Sequence, residues 1–157
     1  MESPSSMYYF AYGCNMDPGV MAGRLGKRSR RLLAWIKGYR LVFDVPYSRD
    51  PHIGFANIQR DPRETVYGVL YTQVTKKGFD ELDHQEEFPD LYKRKLITVF
   101  TVEGPIKALV YIGNQHILNE RAKPSEHYLT CLMHGKDLLP DSQISTLRHL
   151  TLKHPHI

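Results

Sequence analysis

Near the start of the chain runs Tyr9-Phe10-Ala11-Tyr12-Gly13-Cys14-Asn15-Met16, an aromatic segment that is interrupted by a glycine. Its aromatic and apolar residues predict a buried strand over residues 7–12 that ends in a turn. Asp17 is a typical helix N-cap and Pro18 suits a first helical turn, so a short helix is expected from Asp17 to about Leu25. The strand thus leads into a helix N-terminus, where unpaired backbone N–H groups can bind an anion. An ordinary strand–turn–helix connection has the same pattern, and the segment alone leaves both interpretations open.

After the first helix, the sequence predicts several short strands and three further helices. Gly68 interrupts an aromatic and β-branched strand and indicates a bend or a close approach of another backbone. Strands are predicted at residues 32–36, 39–43, 55–58, 65–71, 92–102 and 106–112, with helices at 75–83, 125–134 and 142–153. Thr75 and Ser125 are candidate N-caps of the first two of these helices. Breaks are predicted at Lys37-Gly38, at 48–54 and at Asp61-Pro62-Arg63. This order predicts an α+β fold in which a mixed or antiparallel sheet curls toward a small barrel surrounded by helices.

Length and composition indicate one globular domain spanning residues 1–157. The chain has 157 residues, of which 41% are hydrophobic and 24% charged, so it can bury one core. Two cysteines, Cys14 and Cys131, are too few for the disulfide framework of a small secreted domain. Residues 1–6 lack the basic and apolar regions of a signal peptide, and no apolar run has the length of a membrane span. A cytoplasmic location is therefore expected, without membrane association.

A basic segment lies between Pro18 and Phe43 and contributes much of the formal net charge of +4. Such a segment attracts nucleic acid or an anionic substrate, or it is a solvated loop and strand face. We favour the solvated face and expect no nucleic-acid partner, because no aromatic-interleaved binding motif accompanies the charges. The basic residues are Arg24, Lys27, Arg28, Arg30, Arg31, Lys37 and Arg40.

A second candidate for chemistry is Leu82-Asp83-His84-Gln85-Glu86-Glu87-Phe88-Pro89, at the end of a predicted helix. A carboxylate beside like charges and an apolar wall has a raised pKa, as a general acid/base needs near neutral pH. A solvated acidic helix end is the commoner outcome of such a run. The residues alone leave the two open.

Taken together and in this order, the motifs resemble those of the γ-glutamylcyclotransferase (AIG2-like) superfamily. The resemblance rests on Tyr-Phe-Ala-Tyr-Gly-x-Asn-Met at 9–16, Tyr-Gly-Val-Leu-Tyr at 67–71 and Leu-Asp-x-Gln-Glu at 82–86. Gly-Phe-Ala-Asn-Ile at 54–58, Pro-Ser-Glu-His-Tyr at 124–128, Met-His-Gly at 133–135 and Leu-Pro at 139–140 add to it. It covers about residues 8–152.

The resemblance implies a fold, an activity and a set of site residues. The fold is a small barrel-like mixed sheet with helices around a cavity. The activity is cyclisation of a γ-glutamyl group into 5-oxoproline with release of an amine, without metal or other cofactor. Glu86 matches the family acid/base. The implied substrate-binding residues are Tyr9, Phe10, Ala11, Tyr12, Gly13, Cys14, Asn15, Tyr92 and Tyr128.

Two positions depart from the family pattern. Cys14 replaces a serine in the turn, and a thiol is a weaker donor than a hydroxyl if the side chain contacts substrate. Glu87 stands where a glycine often follows the catalytic glutamate, which raises the question of whether Glu86 or Glu87 faces the cavity. We favour Glu86, on the motif.

Two other function classes remain as alternatives. Cys14 near a helix N-terminus could be the nucleophile of a thiol-dependent amidase or transferase, although no histidine partner is evident. The same cavity could instead belong to a non-catalytic module that binds γ-glutamyl ligands. A metal site is not expected, because the histidines, including His127, His134, His149, His154 and His156, form no cluster with ligand spacing. Residues 48–54 and 113–124 are expected to shape the part of the site that holds the leaving group.

Overall fold

The structure is a computed structural model that describes residues 7–153, with side chains described for residues 7–150. The sequence-based interpretations of residues 1–6, His154 and His156 lie outside this description. The strands are β1 (Met7–Ala11), β2 (Arg31–Tyr47), β3 (Asp50–Val74), β4 (Tyr92–Thr101) and β5 (Gly104–Gly113). The helices are α1 (Pro18–Leu25), α2 (Lys76–Gln85), α3 (Glu126–Met133) and α4 (Asp141–Lys153), with single 3₁₀ turns at Cys14–Met16 and Gln115–Ile117.

The five strands form a closed barrel in the order β1-β3-β2-β4-β5. Three of the strand pairs, β1–β3, β2–β3 and β4–β5, are antiparallel over several residues. Two shorter contacts complete the ring, an antiparallel one between Trp35 and Phe100 and a parallel one between Tyr9 and Leu109. The predicted mixed, barrel-like sheet with surrounding helices is therefore confirmed.

The strands β2 and β3 are longer than predicted, because two predicted breaks do not interrupt them. Lys37 pairs with Thr65 and Tyr39 pairs with Arg60, so residues 61–64 bulge opposite the single residue Gly38, whose φ is +83°. The predicted break at Lys37-Gly38 and the predicted turn at residues 61–63 are thus wrong. Turn-forming residues are accommodated in a bulge when the strands pair on both sides of it.

The predicted turn over residues 48–54 is shorter in the structure. The chain reverses at Ser48-Arg49, and β3 already begins at Asp50. Tyr47 pairs with Asp50 across this tight hairpin, and the Gly54 N–H donates to the Lys123 carbonyl at 2.9 Å. Pairing along the long β2–β3 hairpin thus extends through residues that local composition assigns to a loop.

Gly68 allows β1 to lie close against β3. A Cβ atom at this position would be 2.3 Å from the Ala11 carbonyl oxygen and 2.8 Å from the Phe10 ring. The predicted close approach is confirmed, and it fixes the end of β1 against the barrel.

The predicted helix caps are also present. Asp17 accepts from the Gly19 N–H at 2.8 Å, Thr75 from the Gly78 N–H at 3.1 Å and Ser125 from the Tyr128 N–H at 3.0 Å. Each cap satisfies a backbone donor that a helix N-terminus leaves unpaired. No helix in residues 7–153 is both long and apolar enough to cross a membrane.

Candidate active site

A cavity of about 180 Å³ opens where β1 ends. It has room for a small organic molecule rather than one or two waters. Strands, helices and the intervening turns all contribute to its wall, and α3 contributes Tyr128. The lining residues are Tyr9, Phe10, Tyr12, Gly13, Cys14, Asn15, Arg24, Phe55, Ala56, Gln85, Glu86, Glu87, Leu91, Tyr92, Tyr111 and Tyr128.

The structure brings all but one of the residues implied by the resemblance to this cavity. Ala11 is the exception, since it does not line the wall and is only 1% exposed. It lies where β1 pairs with β3, and its carbonyl oxygen packs against Gly68. The expectation that Ala11 lines the substrate wall is therefore wrong. Its small side chain instead belongs to the tightly packed β1–β3 interface.

The turn after β1 is held by hydrogen bonds to its carbonyl groups. The Tyr71 hydroxyl donates to the Asn15 carbonyl, and the Arg31 guanidinium donates to the Met16 carbonyl at 2.7 Å. Arg31 is itself paired with Asp137 at 2.7 Å. These contacts fix the orientation of the turn from the side opposite its amides.

The backbone amides of the same turn are left for a ligand. Within residues 7–153, no described turn or cap hydrogen bond uses the N–H group of Gly13, Cys14 or Asn15. The next N–H group, that of Met16, donates to the Gly13 carbonyl at 3.0 Å. Consecutive unpaired amides of this kind favour a carboxylate or an oxyanion.

Asn15 places a further polar group in the cavity wall. Its side-chain nitrogen donates to the Tyr9 hydroxyl at 2.9 Å and lies 3.5 Å from one carboxylate oxygen of Glu86. Its side-chain oxygen is buried and has no hydrogen-bond partner within the described residues. An unpaired buried acceptor costs free energy, so the chain holds Asn15 in this position at some cost to its stability.

The end of α2 explains how Glu86 and Glu87 differ. Glu86 is the C-cap, and Glu87 has a φ of +51°, the left-handed conformation that closes many helices. The N–H of Phe88 donates to the Asp83 carbonyl at 2.9 Å and that of Glu87 to the His84 carbonyl at 3.2 Å, which completes a Schellman motif. Both glutamates line the cavity, but Glu86 is partly buried and Glu87 is exposed.

Burial raises the pKa of the Glu86 carboxyl group from 4.5 to about 7, and the positive charge of Arg24 opposes this effect. The sequence suggested two causes, neighbouring negative charges and an apolar wall, and in the structure burial raises this pKa whereas neighbouring negative charges do not. Asp83 is paired with other groups: Arg94 forms an ion pair with it at 3.2 Å, and the Tyr111 hydroxyl donates to it at 2.6 Å. Desolvation, rather than charge repulsion, therefore makes Glu86 a base with a pKa near neutrality.

Tyrosine hydroxyls tie the cavity wall to the barrel backbone. Tyr92 donates to the Ala56 carbonyl at 2.7 Å, and the Tyr128 hydroxyl accepts from the Ala56 N–H at 3.1 Å. The Tyr128 oxygen would lie 3.1 Å from a Cβ atom at Gly13, so it faces the turn directly. Burial raises the pKa of Tyr12, Tyr92 and Tyr128 well above the usual value. These phenols therefore stay neutral and can donate a proton only as a hydrogen bond.

Cys14 lies in the wall but lacks the features of an activated nucleophile. A hydrogen bond with the Cys131 thiol, followed by burial, raises its pKa, whereas a helix N-terminus was expected to lower it. Its thiol also lies 3.9 Å from the Tyr128 carbonyl oxygen. Neither described partner is a base that would remove its proton.

Some lining residues were not identified from the sequence as part of a site. Arg24 was counted only as one member of the basic segment, Phe55 only as part of a motif of the resemblance and Tyr111 only as a strand residue, and Leu91 was not singled out. The missing signal is spatial, because these four residues reach the cavity from four separate parts of the chain. Among the described residues, no three His, Cys, Asp or Glu side chains are grouped to hold a metal ion.

A family model described as γ-glutamyl cyclotransferase, AIG2-like, matches residues 9–130 of this chain. The chain belongs to the AIG2-like γ-glutamyl cyclotransferase family. The matched region contains the strand–glycine turn, Glu86 and Tyr128. No curated protein matches the chain by sequence.

Solved structures with the same fold agree with this family membership. The uncharacterized human protein loc79017 is 27% identical, with 92% of this chain and 87% of that chain covered and a TM-score of 0.79. A structure named γ-glutamyl cyclotransferase is 26% identical, with 91% of this chain and 86% of that chain covered and the same TM-score of 0.79. A yeast γ-glutamyl cyclotransferase specific to glutathione is 13% identical, with 96% and 97% covered and a TM-score of 0.65, which indicates a shared fold alone.

Proposed function

We propose that this chain is a γ-glutamyl cyclotransferase that acts on a γ-glutamyl amino acid or amine and uses Glu86 as its acid/base. The observation that carries the proposal is that Glu86, with a pKa of about 7, shares one small cavity with the unpaired amides of the Gly13 turn. A base and an anion site are what an intramolecular aminolysis needs.

The glutamyl half of the substrate is bound at the turn. Its α-carboxylate accepts hydrogen bonds from the backbone amides of Gly13, Cys14 and Asn15, as an anion at a helix start does. The α-ammonium group donates to the Glu86 carboxylate, which lines the same cavity. One glutamyl group can reach both the turn and the base, because the Asn15 side-chain nitrogen lies 3.5 Å from a Glu86 carboxylate oxygen.

The reaction exchanges one C–N bond for another. Glu86 removes a proton from the α-ammonium group, and the free amine attacks the γ-carbonyl carbon. The C–N bond of the new five-membered ring forms, and the bond to the leaving nitrogen breaks as that nitrogen accepts the proton from Glu86. The ring nitrogen still carries one proton more than the lactam product, and Glu86, ionised again, takes up this proton and passes it to the released amine, which leaves as an ammonium ion. The products are 5-oxoproline and a free amine.

Two features of the cavity support this chemistry. The Tyr128 hydroxyl faces the turn and can donate to the oxygen that becomes negatively charged in the tetrahedral intermediate. Nucleophile and electrophile belong to one molecule, so a wall that holds the folded conformer supplies much of the rate. The side chains of Tyr12 and Tyr92 are 6% and 5% exposed, which suits such a rigid wall.

The decisive variant is Glu86→Gln, which keeps the shape of the side chain and removes the base. We expect it to fold and to lose about 100- to 10,000-fold in kcat, the usual contribution of a general acid/base. The measurement is 5-oxoproline release from a panel of γ-glutamyl dipeptides and amines.

The matched control is Glu87→Gln, which removes the neighbouring, exposed carboxylate and should retain normal turnover. Near-normal 5-oxoproline release by Glu86→Gln would refute the assignment of the base. A wild-type protein that binds γ-glutamyl compounds and releases no 5-oxoproline would instead be a binding module.

A further inference from the structure

Arg24 is a cation in the cavity wall that forms no ion pair or side-chain hydrogen bond with residues 7–150. It lies in the last turn of α1, is partly buried and lines the cavity. Among the described residues it makes no ion pair and no side-chain hydrogen bond. Other arginines of the same basic segment are paired, Arg30 with Glu103 at 3.2 Å and Arg31 with Asp137 at 2.7 Å. The guanidinium of Arg24 therefore keeps its donors available in a partly desolvated place.

Arg24 is also the only Lys or Arg side chain that lines this cavity among the described residues. A guanidinium presents five N–H donors in a planar fork that matches the two oxygens of a carboxylate. Such charge-assisted pairs are stronger than neutral hydrogen bonds, particularly where water is partly excluded. The chemistry of this wall thus calls for an anionic group on the ligand.

The arrangement of Arg24 and Glu86 in one cavity indicates which anionic group of the ligand Arg24 binds. The positive charge of Arg24 lowers the pKa of Glu86 and so opposes the effect of burial, yet the two side chains form no ion pair within 4.0 Å. Glu86 returns its proton to the leaving nitrogen, so that nitrogen must lie beside Glu86. In a leaving amino acid, the carboxylate carbon is separated from that nitrogen by a single carbon atom. Because the amides of the Gly13 turn hold the glutamyl carboxylate in the proposed function, the carboxylate of the leaving amino acid is the anion that remains for Arg24.

We propose that Arg24 binds the carboxylate of the leaving amino acid and so selects γ-glutamyl amino acids over γ-glutamyl amines that lack this carboxylate. This inference rests on the proposed cyclotransferase function and assigns the part of the cavity that the glutamyl group does not use. The same charge repels a leaving group that carries a second ammonium, which sharpens the selection.

The experiment compares γ-glutamyl-alanine with γ-glutamyl-ethylamide, which differ only by the carboxylate of the leaving group. Release of 5-oxoproline is measured for the wild type, Arg24→Met and the control Arg28→Met, whose exposed arginine does not line the cavity. The assay is run at about pH 8.5, so that Glu86 is ionised in all three proteins. We expect the wild type to favour γ-glutamyl-alanine by about 10- to 100-fold in kcat/KM, the range for a charged hydrogen-bonded pair.

We expect Arg24→Met to lose kcat/KM selectively on the substrate that carries the carboxylate. Arg24→Met should lose about 10- to 100-fold on γ-glutamyl-alanine and little on the ethylamide, whereas Arg28→Met should keep the wild-type preference. Equal use of both substrates by the wild type, or an equal loss on both in Arg24→Met, would overturn the inference and leave the cyclotransferase function intact.

A binding measurement separates this inference from the function on which it rests. Calorimetry on Glu86→Gln and on Glu86→Gln combined with Arg24→Met gives the affinity for both compounds without turnover. If the wild type released no 5-oxoproline, the proposed function would fail. Binding that favours γ-glutamyl-alanine only when Arg24 is present would still support the carboxylate site, and binding without that dependence would refute it.

Discussion

At the scale of single residues, the environment of a carboxylate matters more than its neighbours in the sequence. Asp83, Glu86 and Glu87 all belong to one acidic segment, but each has a different surrounding in the structure. Asp83 is paired with Arg94, Glu87 is exposed, and burial raises the pKa of Glu86 to about 7. Glu86 is thus suited to accept and return a proton near neutral pH.

The raised pKa of Glu86 predicts the pH dependence of catalysis. The reaction begins with an ionised Glu86, so kcat/KM should be fully developed above the pKa and fall tenfold per pH unit below about 7. The measurement is a pH–rate profile of 5-oxoproline release from a γ-glutamyl dipeptide.

Glu87→Gln provides the comparison, because loss of an exposed carboxylate should leave the acid limb unchanged. A limb near pH 4.5, the ordinary value for a glutamate, would show that Glu86 is not the base or is not buried in the functioning enzyme.

Residue chemistry that depends on near neighbours in the chain was predictable. Asp17, Thr75 and Ser125 cap their helices because a cap needs only the next two or three residues. The positions of Arg24 in the cavity wall and of Ala11 outside it were not predictable, because each depends on which distant strand or helix lies opposite. Charge alone does not distinguish the unpaired Arg24 from the paired Arg31.

At the scale of elements, the end of α2 positions the acid/base. The Schellman motif places Glu87 at a left-handed position and turns the chain immediately after Glu86. A non-glycine residue there adopts a disfavoured conformation, so the chain tolerates strain beside its proposed base. The sequence showed an unusual residue at this position but not the conformation that makes it unusual.

The strain at Glu87 predicts a stabilising substitution. Glu87→Gly should raise the free energy of unfolding by about 0.5–1 kcal/mol, the relief of the left-handed cost minus the greater unfolded-state entropy of glycine. The measurement is urea unfolding followed by circular dichroism, with 5-oxoproline release expected to stay near the wild-type level.

Glu87→Ala is the matched control, since alanine also removes the carboxylate but does not relieve the left-handed conformation. An equal gain in Glu87→Ala would mean that charge, and not backbone conformation, is responsible. Unchanged stability in Glu87→Gly would show that the position is not strained.

The lengths of β2 and β3 could not be predicted from local composition. Gly38 and Asp61-Pro62-Arg63 have the composition of turns, yet β2 and β3 run past them. The pairing energy of the long hairpin on both sides of the bulge outweighs the local preference, and that energy depends on residues far along the chain.

At the scale of the whole molecule, the cavity joins parts of the chain that are distant in sequence. Tyr9 comes from the first strand, Glu86 from the end of α2 and Tyr128 from α3. A ligand held by all three connects the barrel to its surrounding helices, and it binds only the folded protein. Its binding free energy therefore adds to the stability of the fold.

This connection predicts a thermal shift. Glu86→Gln, which should bind a γ-glutamyl dipeptide without consuming it, should gain about 5–10 °C in Tm at a ligand concentration about 100 times Kd. Differential scanning calorimetry measures the shift, and ethylamine at the same concentration, which has neither the glutamyl group nor a carboxylate, should produce none. A ligand that binds by calorimetry but leaves Tm unchanged would show that it binds the unfolded chain as well as the folded one.

The tyrosine-rich wall has a consequence for proton counting. Burial raises the pKa of the cavity phenols, including Tyr9 and Tyr111, and a hydrogen bond and burial raise that of the Cys14 thiol. Around neutral pH these groups neither take up nor release protons when a ligand enters. Protons exchanged with the buffer on ligand binding therefore report on Glu86 and on the ligand itself, and not on these tyrosines or this thiol.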